Sequence, residues 1–318
     1  MSNFAVYYLD DVEKWLDYPG CIGAMRLAMA EFTGGGREQP LREVQQVRTE
    51  LEMFAQMPGI AGEKIGFGAK VISVYYLTDN LRRSAHRGVV VLFDTNSGEV
   101  LAVADAHEVT KVRTACASAM ATDMLARKDS EVLSIFGTGT QAESHIKALL
   151  EVRPFRKVII WGRPPGAGAT FAERMSAEGV RVDYVASAEE AAGQSDVICT
   201  VTGSRTPVVV RDWVKPGTHI NAVGSSVKGP VEVDNALMRD SVYVADSCRS
   251  VRAAGAEFIA AIEAGVIDDS HMVGEIGDVL LGRIPGREND EQITFYKSLG
   301  HVFQDLASVA YIYKRATA

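Results

Sequence analysis

The sequence predicts an α/β protein: a Rossmann-type, doubly wound parallel sheet joined to an α+β domain. Three observations carry this. From Ser130 onward, short apolar runs alternate with helical stretches at the spacing of a parallel sheet. The first of those runs opens directly into Gly137-Thr138-Gly139-Thr140-Gln141-Ala142. Before it, strand-like runs and a hairpin follow one another without that alternation. At 318 residues the chain is long enough for two cores. The expected division is residues 1–125, rejoined by 300–318, and residues 126–299.

Element by element, Asp11 to Ala30 sets Val12, Trp15, Leu16, Ile22, Met25, Leu27 and Ala28 among polar residues. It reads as helix broken near Pro19-Gly20, with a turn at Thr33-Gly34-Gly35-Gly36. Strands are expected at Glu43–Met53, Ala69–Tyr76 and Gly88–Asp94, the last forming a hairpin with Glu99–Ala104 around Thr95-Asn96-Ser97-Gly98. Thr114–Arg127 reads as a helix. Next come strand Glu131–Phe136, helix Gln141–Val152, strand Lys157–Trp161, helix Thr170–Ala177 and strand Val180–Ala186. Ser187 to Glu190 has the form of a capping box, followed by strands Asp196–Thr202 and Thr218–Gly224. Phe295–Ala318 reads as a helix with Phe303, Leu306, Val309 and Ile312 at apolar spacing.

Composition removes several function classes. Apolar residues make up 47% and charged residues 23%, which indicates a folded chain. The net charge of −8 and the lack of long basic runs argue against a nucleic-acid partner. No uninterrupted apolar stretch approaches a membrane span, and no signal peptide is expected at the N-terminus. Cys21, Cys116, Cys199 and Cys248 form no CxxC pair, and no Cys/His spacing suits zinc. They read as reduced residues of a cytosolic protein, with no metal.

The loop Gly137–Ala142 fits the G-x-G-x-x-[GA] pattern of dinucleotide sites. Gly137 permits the tight turn out of the strand, Gly139 lets a pyrophosphate approach the backbone, and Ala142 lets helix pack on strand. First-turn amides at Thr138, Thr140 and Gln141 would face the phosphates. Thr202-Gly203-Ser204, after the fourth strand of this sheet, is expected at the same cleft. The following strand ends Trp161-Gly162-Arg163-Pro164-Pro165, without the acid that binds ribose hydroxyls. Arg163 admits NADP, but the prolines add no donor, so the cofactor reads as NAD. A plain strand–helix turn is the competing reading.

These residues resemble the ornithine cyclodeaminase/mu-crystallin family. Gly137-Thr138-Gly139-Thr140-Gln141-Ala142-Glu143-Ser144-His145 is similar to its G-x-G-x-Q-A-x-x-H loop, and Arg113-Thr114-Ala115-Cys116-Ala117-Ser118-Ala119 to its R-T-A-A-x-S-A block. Pro40-Leu41-Arg42, Lys70–Val74, Asn221-Ala222-Val223-Gly224 and Phe295–Gly300 match further blocks. The resemblance implies an N-terminal domain for substrate binding and homodimerisation, a Rossmann domain for the dinucleotide, and chemistry at C–N bonds of amino acids. It also implies cofactor contacts at Thr114, Val223, Gly224, Lys297 and Ser298, and a substrate carboxylate held by Arg42, Lys70 and Arg113.

Arginine forks fix a carboxylate in plane. Lys70 lies in an apolar strand, where an unpaired ammonium is costly. Arg113, read at a helix start, is misplaced for the helix dipole, which favours an anion-binding role over a salt bridge to Asp105 or Glu108. Where cyclodeaminases of the family carry an acid after Gly-Gly, this chain has Ser225-Ser226. Ring-closing deamination needs a base, and Ser226 without a histidine is a poor one. The expected substrate is therefore a small imino or oxo acid, reduced with NAD(P)H. Arg48, Arg82, Arg83, Arg87, Lys111 and Lys228 would suit a dicarboxylate, for which reduction of iminosuccinate to aspartate is the leading candidate. His86 and His107 read first as structural hydrogen-bonding residues, with proton donation or a bond to a distal carboxylate as the alternative; His145 and His219 also read as structural. The alternatives are an amino-acid dehydrogenase, an ornithine cyclodeaminase, and a non-catalytic crystallin-like binding protein.

Overall fold

A computed structural model describes residues 4–35, 39–49, 52–75, 86–163 and 166–318. The chain divides into two compact units, 1–113 with 301–318, and 114–300.

In the first unit, β1 (Ala5–Tyr7) is followed by α1 (Leu9–Trp15) and α2 (Tyr18–Gly34). The helical break falls before Pro19-Gly20, not at it. Asp17 caps α2, its carboxylate accepting the Gly20 N–H at 2.8 Å, and proline is tolerated in a first turn that has no intrahelical acceptor for its N–H. Helix α2 runs on to Gly34, through part of the expected glycine turn, while Gly36 lies outside the described residues. The expected strand Glu43–Met53 is two strands, β2 (Glu43–Gln46) and β3 (Glu52–Ile60), paired antiparallel. Strands β4 (Phe67–Tyr75), β5 (His86–Phe93) and β6 (Val100–Asp105) continue the sheet in the order β1-β6-β5-β4-β3-β2. Around the β5–β6 turn, the Asp94 carboxylate accepts the Asn96 and Ser97 N–H groups, an Asx turn.

Helix α3 (Ala106–Leu125) begins eight residues earlier than Thr114. Asp105 fixes that start, since its Oδ1 takes the Glu108 N–H at 2.8 Å. Arg113 is thus mid-helix, and the dipole argument for its role falls away. The division between units also lies earlier than residue 125. The second half of α3 bonds to the second unit's own elements, Thr122 to Asn221 and Asp123 to Arg153.

The second unit is a doubly wound sheet. It runs β7 (Val132–Phe136), α4 (Thr140–Leu150), β8 (Lys157–Trp161), α5 (Ala167–Ala177), the two-residue β9 (Asp183–Tyr184), α6 (Ala188–Gln194), β10 (Val197–Thr200) and β11 (His219–Ala222). At Ser187 only half the capping box forms, the hydroxyl accepting the Glu190 N–H. Then follow α7 (Asn235–Arg239), β12 (Ser241–Ala245), α8 (Cys248–Ala254), α9 (Ala256–Glu263), β13 (Met272–Glu275), α10 (Ile276–Leu280) and β14 (Ile293–Lys297). All eight strands are parallel, ordered β13-β12-β14-β11-β10-β7-β8-β9. The order reverses between β7 and β10, which places a crevice at their carboxyl ends.

Phe295–Lys297 was expected in a helix but belongs to β14, which fills the gap between β11 and β12. The terminal helix α11 (Val302–Thr317) begins only at residue 302. It returns to the first unit and packs on α2 and across β3 to β6, burying Phe303, Leu306, Val309 and Ile312. Among the described residues, no helix is long and apolar enough to cross a membrane.

Candidate active site

In the second unit, the turn between β7 and α4 is built by two glycines with different duties. Gly137 has φ +127°, and a Cβ there would sit 2.8 Å from the Val201 carbonyl oxygen, so the fold itself demands glycine. Gly139 caps α4 with ordinary φ −88°, and a Cβ there would meet nothing within 4 Å. The fold does not explain that glycine, whereas a ligand lying against the backbone does. Gly139 and Thr140 are exposed and Thr138 half-buried; of the first-turn amides of α4, that of Ala142 donates to the Gly139 carbonyl, which leaves those of Thr140 and Gln141 without an intrahelical acceptor. Gln141 Oε1 is buried without a hydrogen-bond partner among the described residues. Open space beside Gly139 and the unspent amides at the start of α4 fit a pyrophosphate-bearing group, whereas the Gln141 oxygen, an acceptor, would need a donor such as a hydroxyl.

The loops after β10 and β11 form the next wall, and sequence reasoning missed the residue that holds them. Glu232 is fully buried and accepts four hydrogen bonds: from Thr202 N and Oγ1 and Gly224 N at 2.6–2.8 Å, and from Thr200 Oγ1 at 2.8 Å. One carboxylate thus ties Thr202-Gly203-Ser204 to Val223-Gly224. Burial pushes its pKa up. Ser204 N donates to Thr202 Oγ1, and Gly203 is open on its Cβ side. Ser226 lies half-buried in the loop after β11 and makes no side-chain hydrogen bond among the described residues.

Other expected cofactor residues have other surroundings. Lys297 is fully buried, with Nζ 2.8 Å from Glu257 Oε2, an ion pair without hydrogen-bond geometry. Ser298 Oγ is buried without a hydrogen-bond partner among the described residues, and Thr114 is buried in α3. Arg163 is exposed after β8, its guanidinium 5.8 Å from the Trp161 ring, and Pro164 and Pro165 lie outside the described residues. His145 is buried between Ser118 and the Gln141 carbonyl, and burial lowers its pKa to about 4. His219 bonds Thr294 and Asn221, and burial lowers its pKa to about 3. Both are neutral structural residues.

The first unit buries a cluster of charges. Lys70, on β4, is 2% exposed and Arg113 4%. Neither pairs with Asp105 or Glu108. Lys70 Nζ (3.1 Å) and Arg113 Nε (3.0 Å) both donate to Oδ1 of Asp305, on the fully buried face of α11. Lys70 also donates to Thr110 Oγ1 at 2.6 Å, and Arg113 Nη1 to Gln304 Oε1 at 3.0 Å. One Lys70 N–H and Arg113 Nη2 make no further hydrogen bond among the described residues. Burial, offset in part by Asp305, lowers the Lys70 pKa to about 8, with Arg113 and Arg42 adding to the fall. Burial raises the Asp305 pKa, but Arg113 and Lys70 outweigh it and hold the carboxyl below its ordinary value. At neutral pH all three groups are charged. Arg42, half-buried, is near enough for its field to reach Lys70.

The other expected basic residues lie apart from this cluster or outside the described residues. Arg48 pairs with Glu52, and Lys111 with Glu108 and Glu13. Arg87 and Lys228 are exposed, and Arg82 and Arg83 lie outside the described residues, as does the His86 side chain.

The second unit's topology and glycine turn define a dinucleotide-binding oxidoreductase fold, paired with a unit that buries two cations around one acid. The chain belongs to the ornithine cyclodeaminase/mu-crystallin family, whose family model matches residues 4–318. It is 34% identical over 295 residues to ketimine reductase mu-crystallin of Mus musculus, covering 92% of this chain and 90% of that protein. Among solved structures it is similar to Delta(1)-pyrroline-2-carboxylate reductase of Thermococcus litoralis in complex with NADH and L-proline (TM-score 0.93, 32% identity, 99% and 98% of the two chains). It is also similar to an archaeal alanine dehydrogenase dimer with bound NAD (TM-score 0.90, 28%, 99% and 96%). A further likeness is to the iminosuccinate reductase of Paracoccus denitrificans in complex with NAD+ (TM-score 0.91, 26%, 99% and 97%).

Proposed function

We propose that this chain is an oxidoreductase of C–N bonds that reduces a small imino acid to the amino acid, with NADH as its cofactor. The observation that carries this reading is the Lys70–Asp305–Arg113 cluster. It holds one net positive charge out of water and leaves donors unspent, which is costly until an anion arrives. A substrate carboxylate supplies that anion, and charge-assisted bonds orient it. The first unit would hold the substrate and the second the dinucleotide, along Gly137–Gln141, Thr202–Ser204 and Val223–Gly224. When bound, the nicotinamide supplies a hydride to the iminium carbon as the C=N π electrons return to nitrogen. An iminium already carries its proton, so Ser226 need not act as a base, whereas ring-closing deamination would require one. The relatives named for ketimine, pyrroline-carboxylate and iminosuccinate reduction support the same chemistry.

The finer reading is iminosuccinate reduced to aspartate. Arg48 and Lys111 are held in ion pairs, and among the described residues the support for this reading is Arg42, whose positive field reaches Lys70. Steady-state NADH oxidation tests both levels. Imines formed from oxaloacetate, pyruvate and other 2-oxo acids with ammonia or methylamine are compared with Delta(1)-pyrroline-2-carboxylate. We expect turnover of imines, with kcat/KM highest for the oxaloacetate imine. A higher value for the cyclic imine removes the dicarboxylate and keeps the reductase. Ornithine converted to proline with release of ammonia overturns both. In the same assay NADPH should serve modestly less well than NADH, since Arg163 is exposed and tolerates the added phosphate while the prolines that follow it in sequence carry no N–H donor.

We also infer a homodimer through the first unit. Helix α11 covers one face of its sheet, with α2 packed on α11. The other face leaves Val6, Phe54, Ile60 and Val89 exposed, between 37% and 49% each, a row of apolar side chains that a second copy would cover. Light scattering should give twice the chain mass, and Val89→Asp should shift it toward monomer. A monomer in the wild type at micromolar concentration overturns this. None of the four cysteines forms a disulfide, in keeping with a reducing cytoplasm, where we place the protein.

A further inference from the structure

We propose that Asp305 is a positioning residue for substrate binding, whose single oxygen Oδ1 gathers Lys70 and Arg113 into one carboxylate-binding pair. The proposal rests on reading that pair as the substrate's anchor.

Three features carry it. First, both cations reach the same atom, at 3.1 and 3.0 Å, so the carboxylate sets their spacing as well as their charge. Second, Asp305 is fully buried, and its Oδ2 has no hydrogen-bond partner among the described residues. A buried carboxylate oxygen left unmatched is expensive. A carboxylate serving stability alone would be expected to use both oxygens. Third, the neighbouring helix residue Gln304 grips the other edge of the Arg113 guanidinium, which leaves Nη2 for a ligand.

Asp305 also governs the charge of Lys70. Among the described residues, the charged groups that act on Lys70 are Arg113 on α3, Asp305 on α11, and Arg42; Thr110 accepts a hydrogen bond from it, and its strand partners Met57 and Val90 are apolar. Of these, only Asp305 favours the ammonium by its charge. The ammonium, the form that binds a carboxylate, predominates below pH about 8 and is lost as pH rises through that value. Removing the negative charge moves this loss to lower pH.

Asp305→Asn tests the idea, because asparagine keeps the shape and an acceptor oxygen but not the charge. The imine KM should rise about tenfold or more, with kcat less affected. The alkaline fall of kcat/KM should move down by about one pH unit or more. NADH affinity by fluorescence titration should stay at the wild-type value, and melting temperature reports on folding. A folded variant with unchanged KM and unchanged alkaline limb overturns the proposal. Should D305N not fold, Lys70→Arg tests the same point. Arginine does not titrate in this range, so the wild-type alkaline fall must vanish; its persistence overturns the proposal. Failure of the anchor reading is a separate result, full activity in Arg113→Ala. If that variant is inactive while D305N behaves as wild type, the anchor stands and the role given to Asp305 does not.

Discussion

Gly139→Val abolishes NADH binding and leaves the fold intact. The two halves of this expectation have separate grounds. The backbone at Gly139 is extended, φ −88° and ψ −171°, a conformation open to any residue, and a Cβ built there touches nothing within 4 Å, so the free protein has room for a side chain at this position. The branched side chain instead fills the space where a pyrophosphate would lie against the first-turn amides of α4. Loss of that approach should weaken binding by roughly a hundredfold or more, since several amide–phosphate bonds of about 1.5–3 kcal/mol each go together. Fluorescence titration with NADH measures the loss, and circular dichroism confirms the fold. Gly137→Val is the contrasting variant. There φ is +127° and the added Cβ collides with the Val201 carbonyl, so stability should fall as well. Wild-type NADH affinity in Gly139→Val would place the cofactor elsewhere.

Arg113→Ala should lower kcat/KM for imine reduction by about tenfold to a few hundredfold, because one or two charge-assisted bonds of about 1.5–3 kcal/mol each are lost with the orientation they impose. NADH affinity should barely change, since Arg113 belongs to the first unit and the glycine turn to the second. A cost in stability is also expected. Asp305 keeps Lys70 but loses its second cation, and the Gln304 carbonyl loses its Arg113 donor. Kinetics are therefore to be read well below the variant's melting temperature. Full activity would show that the buried cations serve the fold alone.

What the sequence disclosed depended on how local each signal was. The Gly137–Ala142 turn is written in consecutive residues, with strand before and helix after, and it emerged at the expected place. The hairpin around Asn96-Ser97 was equally local. The start of α3 was not, because Ala106 to Val112 mixes His107, Glu108, Thr110 and Lys111 with apolar residues, and its boundary is fixed by one side-chain bond from Asp105. Phe295-Tyr296-Lys297 is too short for periodicity to separate helix from strand; pairing with β11 and β12 decides it. Asp305 is 235 residues from Lys70, and nothing in Phe303-Gln304-Asp305-Leu306 distinguishes it from a surface acid. Glu232 was hidden in the same way, since only the folded loops reveal that four donors converge on it.

The position of α11 in the chain also bears on how the protein is made. Residues 114–300 form one unbroken unit and can close their sheet as they leave the ribosome. The first 113 residues, although translated earlier, lack the helix that fills their core and the acid that neutralises Lys70 and Arg113 until residues 301–318 have emerged. During that interval the apolar underside of the sheet is open and its two buried cations have no counter-ion, so the stretch made first is completed last. A nascent chain stalled before α11 would display a finished nucleotide fold beside an unfinished, aggregation-prone partner, and chaperones would be expected to engage the N-terminal residues longest.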